Sequence, residues 1–117
     1  MIERLEKNNR LAEIVISNGH IYLAGQLADD ISLDITSQTL QTFANIDKYL
    51  KKAGSSKSDI LSATIYLKDI LQDYKIFNQQ WDKWIDPNHP PARTCVEAKM
   101  YDPNVLVELT IIAKLPQ

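Results

Sequence analysis

The chain has 117 residues, and its 13 Lys and Arg against 15 Asp and Glu give a formal net charge of −2. With 44% hydrophobic residues it can bury one core, so we expect a single domain over residues 1–117 and neither a fibrous nor a disordered chain. Nucleic-acid binding is disfavoured because it depends on concentrated Lys and Arg, and no run of about 20 apolar residues is present to cross a membrane. The single cysteine and a charged N-terminal segment favour the cytoplasm.

The first part of the chain predicts a β-hairpin. Asn18 and Gly19 form the preferred centre of a two-residue hairpin turn, and β-rich segments lie on both sides of them. We therefore expect strands at about residues 13–17 and 20–26. Residues 2–6 are compatible with one further strand before the hairpin.

The middle of the chain predicts two amphipathic helices separated by a strand. Apolar and polar side chains alternate over residues 60–67, which is the period of a half-buried strand. We expect Gly54 to end the first helix, and Asp86 and Pro87 to end the second. The apolar positions of the first helix recur every three or four residues, at Leu40, Phe43, Ile46, Leu50 and Ala53. Those of the second helix are aromatic, at Tyr74, Phe77, Trp81 and Trp84.

The last part of the chain predicts a second β-hairpin. Strands over 92–100 and 105–114 are joined at 101–104, where Asp, Pro and Asn suit a type I turn. Hairpins at both ends with two helices between them indicate an α+β sandwich, in which both helices cover one face of a mixed sheet. The predicted strands carry apolar residues on both faces. Because a large exposed apolar face is rare in a monomer, we expect an oligomer.

Arg93, Cys95 and Glu97 share one face of the first strand of this hairpin, because side chains alternate along a strand. With a two-residue turn Glu108 lies opposite Lys99, and with a four-residue loop it lies opposite Glu97. Both registers put Glu108 on the face of Arg93, whereas a bulge of one residue would reverse it. The sequence therefore predicts that Arg93 and Glu108 converge across neighbouring strands, and a structure with the two on opposite faces, or with each pointing into solvent, would end the proposal of a site formed in this way.

Each of these side chains has a chemical and a structural interpretation. The planar guanidinium of Arg93 can bind a small carboxylate, or it can form a salt bridge with Glu97 or Glu108. Burial of Glu108 in an apolar strand raises its pKa and suits proton transfer, or the carboxylate is paired. Cys95 is a nucleophile if Arg93 stabilises its thiolate, and otherwise it is a small core residue.

No metal and no nucleotide cofactor is indicated. His20 and His89 lie far apart in the sequence, with no second ligand at metal spacing. The sequence also lacks the glycine patterns that bind phosphates and the nucleophile elbow of hydrolases. Any chemistry is therefore expected from the side chains of the chain itself.

Several motifs resemble those of one protein family. The run P-A-R-T-C-V-E-A over residues 91–98, followed by V-E-L at 107–109, resembles the C-terminal signature of the Rid family, also called YjgF-like proteins. Gly25 and Gln26 resemble the S-G-Q that closes the family's first hairpin. The run S-D-I-L-S-A-T-I-Y-L-K-D over 58–69 resembles the family's middle strand, so the similarity extends over nearly the whole chain.

This resemblance implies a chorismate-mutase-like α+β fold assembled as a homotrimer, with clefts between subunits. It also implies a hydrolase: an imine deaminase that converts 2-imino and enamine acids, released by pyridoxal-phosphate enzymes, into 2-oxo acids and ammonia without a cofactor. By the same resemblance Arg93 binds the substrate carboxylate and Glu108 orients the attacking water. Cys95, at the position of the family's cysteine, and Asn78 line the pocket, and Cys95 is counted with Glu108 among the catalytic residues.

The remaining positions of the implied pocket are Leu11, Ala24 and Gly25. Leu11 aligns with a tyrosine near the start of the family's first strand, and Ala24 replaces the serine of S-G-Q. Each replacement removes a hydroxyl group from the expected cleft. The alternative function is therefore a non-catalytic trimer of the same fold that binds small carboxylates or protects other proteins. A ribonuclease role, also attached to parts of this family, is disfavoured by the acidic net charge.

Overall fold

The architecture is a six-stranded sheet with two α-helices, seen in a computed structural model that describes residues 1–116. The strands are β1 (Glu3–Lys7), β2 (Ala12–Ser17), β3 (His20–Leu23), β4 (Ile60–Leu67), β5 (Ala92–Glu97) and β6 (Val107–Lys114); the helices are α1 (Ile35–Ala53) and α2 (Ile70–Trp84). The strand order is β1-β2-β3-β6-β4-β5, and the β4–β5 pair is parallel while the other neighbouring pairs are antiparallel. This confirms the expected α+β class with a mixed sheet.

Both helices begin about one turn before the residues that apolar periodicity predicts, because capping side chains set their starts. Asp34 caps α1 by accepting a hydrogen bond from the Ser37 N–H at 2.9 Å. Asp69 caps α2 by accepting one from the Gln72 N–H at 3.1 Å. Gly54 ends α1 as predicted, in the left-handed conformation with a φ of 89°.

The predicted N-terminal strands form with one difference. The hairpin of β2 and β3 is present, β1 supplies the further strand before it, and β4 has the predicted bounds. However, β3 ends at Leu23, three residues before the predicted end at 26. After that point the chain turns to β6, where Gln26 and Leu109 exchange backbone hydrogen bonds of 2.8 and 2.9 Å.

The predicted C-terminal hairpin is wrong. β5 ends at Glu97 and pairs parallel with β4, while β6 begins at Val107 and lies between β3 and β4. The turn at 101–104 does form, with the Asn104 N–H donating to the Asp102 side chain at 2.8 Å, but it belongs to a connection from the sheet edge to its centre. All four inward-facing side chains of β6 are fully buried, so this strand occupies the middle of the sheet.

The two helices cover one face of the sheet and leave the other open. One core unites apolar side chains of α1 and α2 with those of the strands, including Phe43, Phe77, Ile65 and Leu109. On the open face Tyr22 and Val96 are 43% and 40% exposed. Apolar groups therefore lie on both faces of the sheet, as the sequence predicts, and the oligomer inferred from them stays a prediction.

Gln38 ties α1 to the connection that precedes β6. Its side chain is fully buried, and its amide donates to the backbone carbonyls of Ile31, Leu33 and Asn104 at 3.2, 2.9 and 2.9 Å. Its side-chain oxygen accepts a hydrogen bond from the Leu106 N–H at 3.0 Å. One residue thus satisfies four backbone groups and fixes the position at which β6 begins.

We expect Gln38→Ala to lower the free energy of unfolding by about 3 kcal/mol, because it leaves buried backbone groups without partners. Urea denaturation measures the change. Gln41→Ala on the same helix is the control: the Gln41 side chain accepts one hydrogen bond, from the Asp30 N–H at 2.9 Å near the surface, and its loss should cost less than about 1 kcal/mol. Equal costs for the two variants would contradict the anchoring role of Gln38.

Candidate functional site

The two residues that were expected to converge lie on opposite faces of the sheet. In the β4–β5 pair Arg93 is the partner of Ala63, whose side chain faces the helices. In the β4–β6 pair Glu108 is the partner of Tyr66, on the open face. The prediction of a shared face is wrong because it assumed that the two strands pair directly. Both β5 and β6 pair with β4 instead. Arg93 lies beside Ala63 and Glu108 lies beside Tyr66, and these two β4 side chains point to opposite faces of the sheet.

Arg93 lies against aromatic rings of α2. The centre of its guanidinium is 5.1 Å from the ring centre of Trp81, and 5.9 Å from the ring centres of both Tyr74 and Phe77. The Nη2 atom also donates a long hydrogen bond of 3.5 Å to the Tyr74 hydroxyl. These rings hold the guanidinium through its attraction to their faces. We call this group, with Cys95 and Asn78, the Arg93 half-site.

The salt bridges considered for Arg93 do not form. Within residues 1–116 no carboxylate lies within salt-bridge distance of its guanidinium. Glu97 instead accepts a hydrogen bond from the Ile70 N–H at 3.1 Å, at the N-terminus of α2. Glu108 is on the other face of the sheet. The positive charge of Arg93 is therefore available for an anionic ligand.

Cys95 and Asn78 lie on the same side of the sheet as Arg93. Cys95 is half-buried, and burial raises the pKa of its thiol, although the Arg93 charge opposes this rise. The thiol is therefore not activated within one chain. Asn78 lies one helical turn from both Tyr74 and Trp81, and its buried Oδ1 atom has no hydrogen-bond partner among the described residues.

Glu108 lies in a cavity of about 310 Å³ on the open face. Burial raises the pKa of its carboxyl group above the usual range. No cation of residues 1–116 lies within salt-bridge distance of that carboxyl group, so the group is free to take up and return a proton. We call this cavity the Glu108 half-site; its lining includes Gly25, Tyr66, Lys99, Met100 and Thr110.

Gly25 and Glu108 are brought into direct proximity. The backbone pair of Gln26 and Leu109 holds the chain against β6, and a Cβ atom at residue 25 would overlap the Glu108 carboxylate. Glycine is thus required by the close approach of backbone to side chain. That the two residues line one substrate pocket stays a prediction.

Leu11 and Ala24 lie outside the lining of the Glu108 half-site. Leu11 is in the connection between β1 and β2, is 44% exposed, and donates its backbone N–H to the Asn8 side chain at 3.0 Å. Ala24 directly precedes Gly25, and its carbonyl accepts a hydrogen bond from the Gln26 side chain at 2.9 Å. Within one chain, neither side chain contributes to the cavity around Glu108.

Comparisons with known proteins identify the family. Residues 1–115 match the family model described as Endoribonuclease L-PSP. A RutC family protein of Haemophilus ducreyi is 44% identical over 115 residues, covering 98% of this chain and 97% of the relative. The RutC family protein YoaB of Escherichia coli is 38% identical over 112 residues, covering 96% of each. This chain belongs to the RutC/YjgF family, which is the Rid family.

Solved structures of the Rid family have the same fold. A YjgF family member from Neisseria meningitidis superposes with a TM-score of 0.96 at 36% identity, covering 100% of this chain and 97% of that one. A protein of unknown function from Yersinia pestis, described as belonging to the conserved Rid protein family, superposes with a TM-score of 0.85 at 28% identity, covering 92% and 90%. The architecture described above is thus that of the family.

Sequence reasoning missed several residues of both half-sites. It placed Tyr74 and Trp81 on the apolar face of the second helix, where Trp81 is indeed in the core while Tyr74 is 44% exposed, but it did not foresee that both rings contact the Arg93 guanidinium. It did not consider Tyr66 or Lys99, which line the cavity of Glu108. The alternation in residues 60–67 is the signal that places Tyr66 on the face opposite the helices, but the partner strand was unknown.

Other kinds of site find no support in the described part of the chain. Among residues 1–116 no three His, Cys, Asp or Glu side chains are grouped so as to hold a metal ion. No helix in that range is long and apolar enough to cross a membrane. The two half-sites are therefore the features from which a function is argued.

We expect Gly25→Ala to destabilise the protein by about 1–3 kcal/mol, because the added methyl group must displace the Glu108 carboxylate. In a Glu108→Ala background the same substitution should cost clearly less, since the overlapping atoms are gone. Urea unfolding of both single variants and the double variant measures this coupling. Additive effects of the two substitutions would contradict the contact.

Proposed function

We propose that this chain is a hydrolytic deaminase of 2-imino acids that acts as a homotrimer. Each active site is assembled from the Arg93 half-site of one subunit and the Glu108 half-site of the next. The observation that carries the proposal is the pair of half-sites: each presents one ionisable group without a partner in the described chain, and they lie on opposite faces. The proposed compartment is the cytoplasm, where pyridoxal-phosphate enzymes release such imines.

Arg93 binds the carboxylate of the substrate. Its planar guanidinium can donate two parallel hydrogen bonds to a carboxylate, which fixes both the position and the orientation of the ligand. The rings of Tyr74 and Trp81 limit the freedom of the guanidinium before the substrate arrives. The imine carbon next to that carboxylate is thereby held at a defined distance from the opposite wall of the cleft.

Glu108 of the neighbouring subunit activates water. Its carboxylate takes a proton from a water molecule as the water oxygen bonds to the imine carbon, and the C=N electron pair moves to nitrogen. The carboxyl group returns that proton to nitrogen, which gives an amino alcohol. Glu108 then takes the proton of the new hydroxyl group and passes it to nitrogen as the C–N bond breaks, so a 2-oxo acid and ammonia leave. A raised pKa suits both transfers. The imine carbon is already electrophilic, so the reaction needs no cofactor.

A cyclic assembly is the arrangement that brings the two half-sites together. A two-fold interface places the same patch of each subunit face to face, whereas a ring joins two different patches of one chain at every interface. β5 forms one edge of the sheet, and the open face exposes Tyr22 and Val96. Both surfaces are costly to leave in water, which supports their burial between subunits.

Small-carboxylate binding without catalysis is the second candidate. The Arg93 half-site lies wholly within one chain, so it can hold a carboxylate without any contribution from Glu108. The missing hydroxyl groups at Leu11 and Ala24 also favour this candidate. A ribonuclease activity, named in the description of the family model, would require RNA binding, which the net charge of −2 does not favour.

A trapping assay separates hydrolysis from binding. A dehydratase generates 2-aminoacrylate from serine, or 2-iminobutanoate from threonine, and semicarbazide traps the imine. We expect the protein to suppress the adduct, and Glu108→Gln to lower this activity by at least about 100-fold while 2-oxobutanoate still binds. Binding without suppression in the wild type would favour the second candidate. Equal turnover in wild type and Glu108→Gln would exclude the proposed role of Glu108.

Mixed trimers test whether the site lies between subunits. Arg93→Ala and Glu108→Ala are each expected to be inactive, but a trimer that contains both has one junction with a native Arg93 and a native Glu108. Refolding an equal mixture should restore about one quarter of wild-type activity. A mixture of Arg93→Ala with the double variant is the control and should stay inactive. No recovery in the first mixture would contradict a shared site.

A further inference from the structure

Tyr66 is the cross-strand neighbour of Glu108. The two residues are paired in the β4–β6 register, both are half-buried, and both line the cavity of the Glu108 half-site. Directly opposed side chains of antiparallel strands begin about 5 Å apart. Tyr66 lies on the β4 side of Glu108, and Gly25 lies on the other side, against the Glu108 carboxylate. A ligand in this cavity can therefore contact both the phenol and the carboxyl group.

The Tyr66 hydroxyl forms no side-chain hydrogen bond within the described residues, so no structural role accounts for it. None of the side-chain hydrogen bonds within residues 1–116 involves Tyr66 or the Glu108 carboxyl group. Tyr22, also on the open face, lies outside this cavity. Leu11 and Ala24 supply no hydroxyl group, and Thr110, two residues from Glu108 on the same face, is the other hydroxyl in the lining.

We propose that the Tyr66 hydroxyl is a catalytic proton donor to the substrate nitrogen, supplied by the same subunit as Glu108. This inference rests on the proposed deaminase function and adds a third group to that site. The phenol and the carboxyl group line one cavity but are not hydrogen-bonded to each other within the chain. With a water molecule between them, they form a proton relay from Glu108 to the substrate nitrogen.

The relay is balanced in protons and electrons. As the water oxygen bonds to the imine carbon, Glu108 accepts the water proton and the C=N π pair moves to nitrogen. The Tyr66 O–H gives its proton to that nitrogen and regains one from Glu108 by way of a water molecule in the cavity. In the second step the new C–OH group loses its proton to Glu108 while the C–N pair leaves with nitrogen. The same relay protonates that nitrogen, so ammonia departs and both residues return to their initial state.

Tyr66→Phe removes the hydroxyl and keeps the ring. We expect the kcat for 2-iminobutanoate to fall by about 100-fold, the lower end of what a positioned proton donor contributes, with KM changed by less than about twofold. The carbonyl oxygen of 2-oxobutanoate occupies the place of the imine nitrogen, so its dissociation constant, measured by calorimetry, should rise by about fivefold. Tyr22→Phe is the matched control and should leave both quantities unchanged, because Tyr22 lies on the same face of the sheet but outside the cavity.

The outcomes separate this inference from the proposed function. If wild type and Tyr66→Phe agree in kcat and in 2-oxobutanoate binding, or if Tyr22→Phe produces the same loss, the role of Tyr66 is overturned while the deaminase stands. If the wild type does not hydrolyse imines but Tyr66→Phe weakens 2-oxobutanoate binding, the deaminase and the catalytic role of Tyr66 are both overturned, and Tyr66 only binds the ligand. If there is neither hydrolysis nor binding, both are overturned.

Discussion

The insertion of β6 between β3 and β4 decides where each functional group of this chain lies. Its pairing with β4 sets Glu108 beside Tyr66 on the open face, and its bridge to Gln26 brings Gly25 against the Glu108 carboxylate. Because β6 occupies the centre, β5 is left at the edge, with Arg93 directed toward α2. The separation of the two half-sites is therefore a consequence of strand order.

Each half-site contains an ionisable group without an ion-pair partner, and the single chain stabilises the two groups in different ways. The Arg93 guanidinium is permanently charged, and the faces of the aromatic rings of α2 stabilise it where no carboxylate does. The Glu108 carboxyl group forms no ion pair with the residues that line its cavity. Burial raises its pKa and so favours the neutral acid. Both groups are thus stable without a partner, which keeps them available for a ligand.

Features with a local physical cause could be predicted from the sequence, and those that depend on distant pairing could not. The Asn18-Gly19 hairpin, the strand over 60–67 and the end of α1 at Gly54 follow from turn chemistry, alternation and backbone conformation. The turn at 101–104 was also correct, yet the strands on either side of it have other partners. The family resemblance supplied residue identities such as Gly25 beside Glu108, but the face of each side chain required the register.

The central strand of this sheet is also the last one in chain order. During synthesis the β1–β3 meander and the β4–α2–β5 unit emerge before β6. Until β6 is available, the edges of β3 and β4 that it later pairs with have no partner strand. Native pairing between these two parts must wait until the final strand has left the ribosome. The nascent chain therefore presents two open strand edges for much of its synthesis, and a chaperone that shields such edges would act before β6 docks.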